Sequence, residues 1–480
     1  MKNEKSMSKN AIFNMFNKFL TIVFPLVTIS YVSRILGANG IGIVSSIQNF
    51  STYFMMVAAL GIPSYGVRAI AQSKFNKEKS NLVFTELFIL NLLSTLICVV
   101  LYFLFINFII EIEFDKRLYY IFSSLVIFNI FNIEWVYQGF EEYSYITIRN
   151  FTIKLLSLFM LFIFVRNQND IIGYSLILCF GTVGNYILNM INVKKFVWFD
   201  FKEIDIKKHI EPVFTFFGSV LAIEIYSLLD ITMLTYFSNP TCVGYYSNST
   251  KIVKTIAGTV TAISAVLLPR LSQYFIEKNN EKVKEVSLKF LDLTYLLTVP
   301  CMIGLFLLAD QIVLCLLGEN FIPSIMTIRI LSFLILFMPL SGGVFCQLLL
   351  TSGREKKYLC SVLIGAVVNV ILNLILIPKF LQNGAAFASV ISEIIVCISM
   401  ILFTKQFIDI KTKFKSKINI FGASTLLGIS VLIIKFLCNI FNINLFISLI
   451  FEISTGIFIY FGILILIKNE FIIGLIRKFF

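Results

Sequence analysis

The chain has a single histidine, His209, and little charge of either sign: 14% of its 480 residues are Asp, Glu, Lys or Arg. A soluble globular protein carries nearer ~25%. One imidazole in a basic stretch argues against a histidine-based metal site or catalytic triad. The nine cysteines are scattered, form no CxxC pair and lie apart from the histidine, so they read as buried thiols acting as small hydrophobes. No glycine-rich phosphate loop follows a strand pattern, which disfavours ATP-driven transport within this chain. Apolar residues take up the rest, at 58% of the chain and a mean hydropathy of +0.89. A soluble fold of this length would leave large apolar patches exposed. Lipid is the alternative solvent, and it asks for roughly 20 apolar residues per spanning helix. The expected class is an all-α polytopic membrane protein.

Hydrophobic runs parted by short polar breaks predict about 14 transmembrane helices, among them 118–139, 144–165, 212–237, 243–269, 358–378 and 384–404. The start, "MKNEKSMSKN", leads into the first span without a small-residue cleavage site, so it reads as a tail and a retained helix. With the N-terminus inside, the inner segments hold 27 Lys and Arg and the outer ones only Lys116, Arg117, Arg166 and Lys379. That asymmetry predicts both termini on the cytoplasmic side of the cell membrane. It also accounts for most of the +13 net charge, with no nucleic acid as partner. "GIVSS" at 42–46 echoes "GYYSN" at 244–248, and the same offset aligns Arg68 with Arg270. Gly139-Phe-Glu141 echoes Gly353-Arg-Glu355 at a slightly larger offset. The expected organisation is an N-lobe of helices 1–6 (1–193), a basic linker (194–211), a C-lobe of helices 7–12 (212–404), and helices 13–14 with a tail (405–480). Two six-helix lobes in parallel repeat around a central cleft suit an alternating-access transporter.

Sixteen charged residues fall inside the spans, each costing roughly 2.5–3.5 kcal/mol at the bilayer centre, so they should face protein or a wet cavity. Asp230 and Lys251 stand equally far from the turn at Asn239-Pro240, and Lys254 shares a face with Lys251. The pair either neutralises itself and locks the hairpin or contributes to function. Glu224 points about 120° away from Asp230 around the helix and is either a packing hydrogen bond or a coupling group. In "EWVYQGFEEYSYITIRN", Glu134 and Arg149 are equidistant from the turn and could pair, while Glu141 or Glu142 would favour the N-terminus of the next helix. Lys18, Arg149, Lys154, Lys251 and Lys254 are the candidates for lining a cationic cavity. Such a cavity suits an anionic substrate, a phosphate or uronic acid. Glu134, Glu224 and Asp230 are the candidate coupling or gating groups. No catalytic residue and no metal ligand stands out.

The same "EWVYQGFEEYSYITIRN" at 134–150 resembles the pattern of Wzx-type polysaccharide flippases (O-antigen, capsule or teichoic-type repeat units). So do "YVSRILGANGIG" at 31–42, "YYSNSTKIVKTI" and "AVLLPRLSQ" around the eighth helix, and "IPKFLQNGAAFASVISE" at 377–393. The resemblance covers nearly all of helices 1–12, and helices 13 and 14 match only as generic hydrophobic spans. It implies the fold of the multidrug/oligosaccharidyl-lipid/polysaccharide exporter superfamily. It also implies a flippase for an undecaprenyl-pyrophosphate-linked oligosaccharide, and so not an enzyme. Membrane lipids would surround it, and a polysaccharide polymerase and glycosyltransferases are the expected neighbours. No cofactor is implied, and coupling to a proton or sodium gradient is left open. A cation-coupled multidrug antiporter of the same fold is the alternative, as is a non-transporting scaffold of glycan assembly. The antiporter would need cavity carboxylates free of neighbouring cations.

Overall fold

Helix starts are set by short polar side chains. Asn76 accepts from the backbone N–H of Lys79 and Asn279 from that of Lys282, each at 3.1 Å. Asp115 and Asn444 do the same for Arg117 and Phe446, each at 2.9 Å. Each cap satisfies one of the donors that a helix N-terminus leaves open. The computed structural model describes the backbone of residues 2–109, 114–264, 267–408, 414–467, 469 and 472. Side chains are described for these except 2–23, 109, 219, 220, 222, 223, 225–227, 268 and 414–416.

The chain divides into two units, Met1–Thr235 and Tyr236–Phe480. The first holds α1 (Lys2–Ala59), α2 (Ile62–Ser73), α3 (Lys77–Leu104), α4 (Lys116–Ile127), α5 (Glu134–Gly139), α6 (Tyr143–Phe164), α7 (Ile171–Asn192) and nearly all of α8 (Lys207–Phe237). The second holds α9 (Pro240–Ser264), α10 (Leu267–Ile276), α11 (Asn280–Ile312), α12 (Ser324–Leu331), α13 (Leu334–Pro339), α14 (Cys346–Thr351), α15 (Glu355–Thr404), α16 (Phe414–Ile440) and α17 (Leu445–Leu466). Among the described residues, 11 helices are long and apolar enough to cross a membrane. Their flanks carry exposed Phe, Leu and Ile, such as Phe436, Phe446 and Phe458. This is an all-α, multi-pass membrane protein.

Two of the long helices are hairpins. A straight rod of α1's 58 residues would be about 87 Å long, nearly three times the ~30 Å hydrocarbon core. Gly37 breaks it with φ 66 and ψ −178. Before Gly37, Phe24 faces Phe151 and Tyr31 faces Phe162, so the chain runs parallel to α6. After it, Ser51 meets Tyr102 and Ser94 donates to the Ala58 carbonyl, so the chain runs antiparallel to α3. Lys74 and Glu141, just before α3 and α6, pair at 2.9 Å, which sets those two helices parallel. The direction therefore reverses at Gly37. In α15 the non-helical residue is Leu381, with φ 50 and ψ −130. Ser399 donates to Ser361 at 2.7 Å, and a Cβ at Gly365 would strike Val396. A Cβ at Gly384 would strike the Leu376 carbonyl. All three pairs centre within half a residue of 380, so the expected spans 358–378 and 384–404 are the two arms.

The expected span 118–139 is interrupted. A 3-10 turn over Phe128–Phe131 ends α4, and α5 starts afresh at Glu134. Asn91 of α3 explains how a membrane helix tolerates the break. Its amide donates to the carbonyls of Asn129 and Ile130, at 3.1 and 3.2 Å. The Asn129 carbonyl also accepts from the Asn132 N–H at 2.9 Å, so Asn91 adds a second donor there and supplies one to Ile130, whose carbonyl would be costly to leave bare in an apolar setting.

Local devices recur in both units. The caps Asn76 and Asn279 head "NKEK" and "NNEK". The helix stops at 137–142 and 349–354 share one hydrogen-bond pattern. Glu142 N–H donates to Tyr137 O and Glu141 N–H to Gln138 O, as Arg354 does to Leu349 and Gly353 to Leu350. The left-handed residue is Glu141 (φ 63) in the first and Gly353 (φ 70) in the second. The register thus aligns Glu141 with Gly353 rather than Gly139 with Gly353. Gly139 serves close packing instead, since a Cβ there would meet Ile70 at 2.6 Å.

The segment after α7 is not a free linker. Trp198 N–H donates to Asn81, Asp200 N–H to Thr85 and Asp205 N–H to Glu86, all at 2.8–2.9 Å. Farther along, α8 bonds to the second arm of α1. Ser46 meets Thr235 at 2.8 Å, Asn49 donates to Thr232 at 2.8 Å, and Tyr53 meets Thr232 at 3.0 Å. Those bonds place this helix, expected as the first of the C-lobe, in the first unit.

Candidate functional site

The α5–α6 turn folds α6 back beside α5, and this brings Glu134 and Arg149 together as an ion pair. The guanidinium is 3% exposed. Its Nε donates to Asn185 Oδ1 at 3.0 Å, and Nη2 also donates to Asn150 Oδ1 at 2.8 Å. Nη1 donates to Asn189 Oδ1, and Tyr145 lies 5.9 Å beneath the guanidinium. Gln138 donates to the other Glu134 oxygen at 3.2 Å. Arg149 is therefore a buried fastener between α5, α6 and α7, with its fork spent on protein oxygens. It leaves the set of cations expected to meet substrate. Glu142 is the N-cap residue of α6, where a negative charge is favoured although its side chain makes no hydrogen bond, while Glu141 pairs with Lys74.

The remaining expected residues fall as follows. Lys154 is half-buried on α6, and on α9 Lys251 is exposed and Lys254 half-buried. The ammonium groups of all three lack a polar partner among the described residues. Asp230 is buried in the first unit and close enough to Tyr53 to act on it electrostatically. Glu224 is exposed on α8. Lys18 lies outside the residues whose side chains are described. Chemically, this leaves amines on membrane helices ready to receive anionic oxygens. Among the described residues no group of three or more His, Cys, Asp or Glu could hold a metal ion.

A family model described as "Polysaccharide biosynthesis protein" matches residues 7–275, more than half of the chain. The chain belongs to that family. A second model, "Lipid II flippase MurJ", matches residues 155–456, so the two together run through nearly the whole of this Wzx-type protein. A relative from Escherichia coli (strain K12), "Putative O-antigen transporter", is 24% identical over 84% of this chain and 98% of its own. Among solved structures, the inward closed conformation of the lipid II flippase MurJ superposes with a TM-score of 0.76. The match covers 96% of this chain and 99% of that one at 17% identity. An inward-facing multidrug MATE transporter of the MOP superfamily gives 0.66 at 16% identity, over 82% of this chain and 97% of its own. The fold of this Wzx-type chain is thus that of the exporter superfamily.

Sequence reasoning missed a heavily bonded carboxylate of this Wzx-type protein. Glu86, on α3, is 0% exposed. Oε1 accepts from Lys208 Nζ and Asp205 N–H, each at 2.8 Å, and Oε2 faces His209 Nε2 at 2.8 Å. His209 Nδ1 meets the Tyr65 hydroxyl at 2.8 Å. The lone histidine is therefore structural and ties α2, α3 and the start of α8. Its nearest sequence signal was the aromatic run "FVWFDF" at 196–201, too apolar for a solvated loop. Also missed was Asp310, which holds Lys435 at 2.6 and 2.7 Å and pins α16 to α11.

Proposed function

We propose that the chain is a flippase that moves a lipid-linked oligosaccharide, carried on undecaprenyl pyrophosphate, from the inner to the outer leaflet of the cell membrane. The observation that carries this reading is the set of amines with no polar partner among the described residues, Lys154, Lys251 and Lys254, on membrane helices of a polysaccharide-family chain. An unpaired cation in an apolar solvent is costly. A diphosphate supplies the oxygens that such cations lack, and binding energy comes from pairing them. The sugar would be met by hydroxyl, amide and aromatic edges, and the polyprenyl tail can stay in lipid. Only non-covalent contacts change, so no bond of the substrate is broken and the protein is not an enzyme. Alternating access of the exporter fold moves the head group, and the positive-inside asymmetry places both termini in the cytoplasm. The names of the relatives, an O-antigen transporter and a lipid II flippase, support a lipid-linked glycan as cargo.

The test is the pair Lys154→Ala and Lys254→Ala made together in the producing cell. The expected result is loss of surface polysaccharide, with the protein still present in the membrane fraction. Surface glycan at wild-type level would refute the cationic mechanism and favour a scaffold. Retained drug efflux with no effect on glycan would favour the antiporter.

A further inference from the structure

The polar contacts of the last helix are one donor short. Ser448 and Glu452 stand one turn apart on α17, and Gln311 lies at the end of α11. Glu452 is 0% exposed, and the other two are buried as well. Glu452 Oε1 accepts from Gln311 Nε2 at 2.8 Å and from Ser448 Oγ at 2.6 Å. Glu452 Oε2 and Gln311 Oε1 are also buried, and neither has a donor among the described residues. Two acceptors are thus left over on side chains already joined to each other.

Among the described residues no basic side chain compensates. The charged groups beside Gln311 on the packed helices, Asp310 of α11 and Lys435 of α16, are bonded to each other. The next charges inward on those helices, Asp292 and Lys417, are 19 residues before Gln311 and 18 before Lys435, about 27–29 Å along the axis. Within that length, the other titratable groups on the three elements are the thiols of Cys301 on α11 and Cys438 on α16 and the hydroxyls of Tyr295 on α11 and Tyr460 on α17, the last donating to the Leu296 carbonyl at 2.7 Å, with the thiol of Cys315 just past the end of α11. A wholly buried carboxylate with both donors on one oxygen and none on the other is a costly anion. A proton on Oε2 removes the charge and supplies the missing donor. Rotation of the terminal torsions then lets carboxyl and carboxamide close a ring of two parallel hydrogen bonds. Turning the amide over does not remove the deficit, because its oxygen then faces Oε1. A metal cation would ask for more oxygens than these three side chains supply.

We propose that Glu452, with Gln311 and Ser448, is a proton-binding site of the terminal helix pair. The carboxyl holds its proton while α17 is docked on α11. When the site opens to water, the O–H bond at Oε2 breaks, the proton leaves to water and the electron pair stays on the carboxylate. Loss of the proton sets a bare carboxylate against the Gln311 carbonyl, so occupancy biases that helix contact. Use of the site to draw on a proton gradient rests on the transport reading above; the protonation itself does not.

Infrared difference spectroscopy of the purified protein in lipid nanodiscs tests the site without any transport. A protonated-carboxyl C=O band should be present at neutral pH in sodium-free buffer and missing from Glu452→Gln, which keeps the shape and both hydrogen bonds of the ring. A spectrum in which Glu452→Gln removes no such band overturns the proposal. So does a Glu452 band that added sodium abolishes, since the site would then be a sodium site. In proteoliposomes carrying the lipid-linked glycan, wild type should move cargo faster under an imposed pH gradient, and Glu452→Gln should lose that stimulation. Stimulation kept in Glu452→Gln refutes the coupling role. Wild type that moves no cargo while keeping the infrared band refutes the flippase reading instead.

Discussion

Replacing Glu86 by alanine should loosen one end of the first unit. The carboxylate is fully buried and collects three donors, from Asp205, Lys208 and His209. Lys208 is 42% exposed and can be rehydrated, so its share of the loss is small. The Asp205 N–H and the His209 Nε2 cannot be rehydrated without opening the packing. An unmade buried hydrogen bond costs about 1–3 kcal/mol, and breaking a buried charged cluster from one side costs about 3–5 kcal/mol. We expect the latter figure for Glu86→Ala and about 1–2 kcal/mol for Glu86→Gln, which keeps one acceptor oxygen and the shape. The assay is built into the chain. Its only two tryptophans both border this cluster: Trp135 packs 6.1 Å from Phe84, and Trp198 is bonded to Asn81. Thermal unfolding followed by tryptophan emission in detergent should shift down by roughly 10 °C for the alanine variant and by a few degrees for the glutamine. Equal shifts for the two variants, or no shift for Glu86→Ala, would refute the staple.

Other expectations follow from single residues. Arg149→Ala should destabilise by about 3–5 kcal/mol, and Arg149→Lys should not rescue it, because one ammonium cannot reproduce a fork spread over four oxygens; thermal midpoints of the two variants decide this. Leu381→Gly should stabilise the fold by about 1 kcal/mol, seen as a higher thermal midpoint, because it relieves a positive φ at a side chain that is already exposed. Gly384→Ala should reduce folded protein in the membrane, since its Cβ would collide with a backbone carbonyl. The backbone amides of Arg166 and Asn167 donate to Asp170 and hold its carboxyl below the ordinary range. Its stabilisation is therefore complete above about pH 4 and lost as pH falls through the lowered value. Asp170→Asn should flatten that acid-side slope in a plot of midpoint against pH.

The parts that were legible in the sequence obey local rules. Long apolar runs gave the helical membrane class, and symmetric counting about a turn put Glu134 opposite Arg149 because antiparallel helices conserve depth. The same counting could not foresee Arg149's fate. Asn185 and Asn189 come from the next helix, and no rule of spacing joins them to residue 149. Glu86 and His209 are 123 residues apart and meet only because the intervening aromatic segment folds back under α3. The break in α4 was equally hidden, since its tolerance depends on one amide, Asn91, from another helix.

The bonds from Trp198, Asp200 and Asp205 change what the 196–206 segment can be used for. Sequence length and charge make it an obvious place to splice in a fluorescent domain or an epitope. Most of its backbone, however, is wall rather than tether, and a splice there would prise α3 from its neighbours. Only Lys202 and Glu203, an exposed turn with Glu203 already at a positive φ, offer slack. The permissive window of this basic segment is about two residues wide.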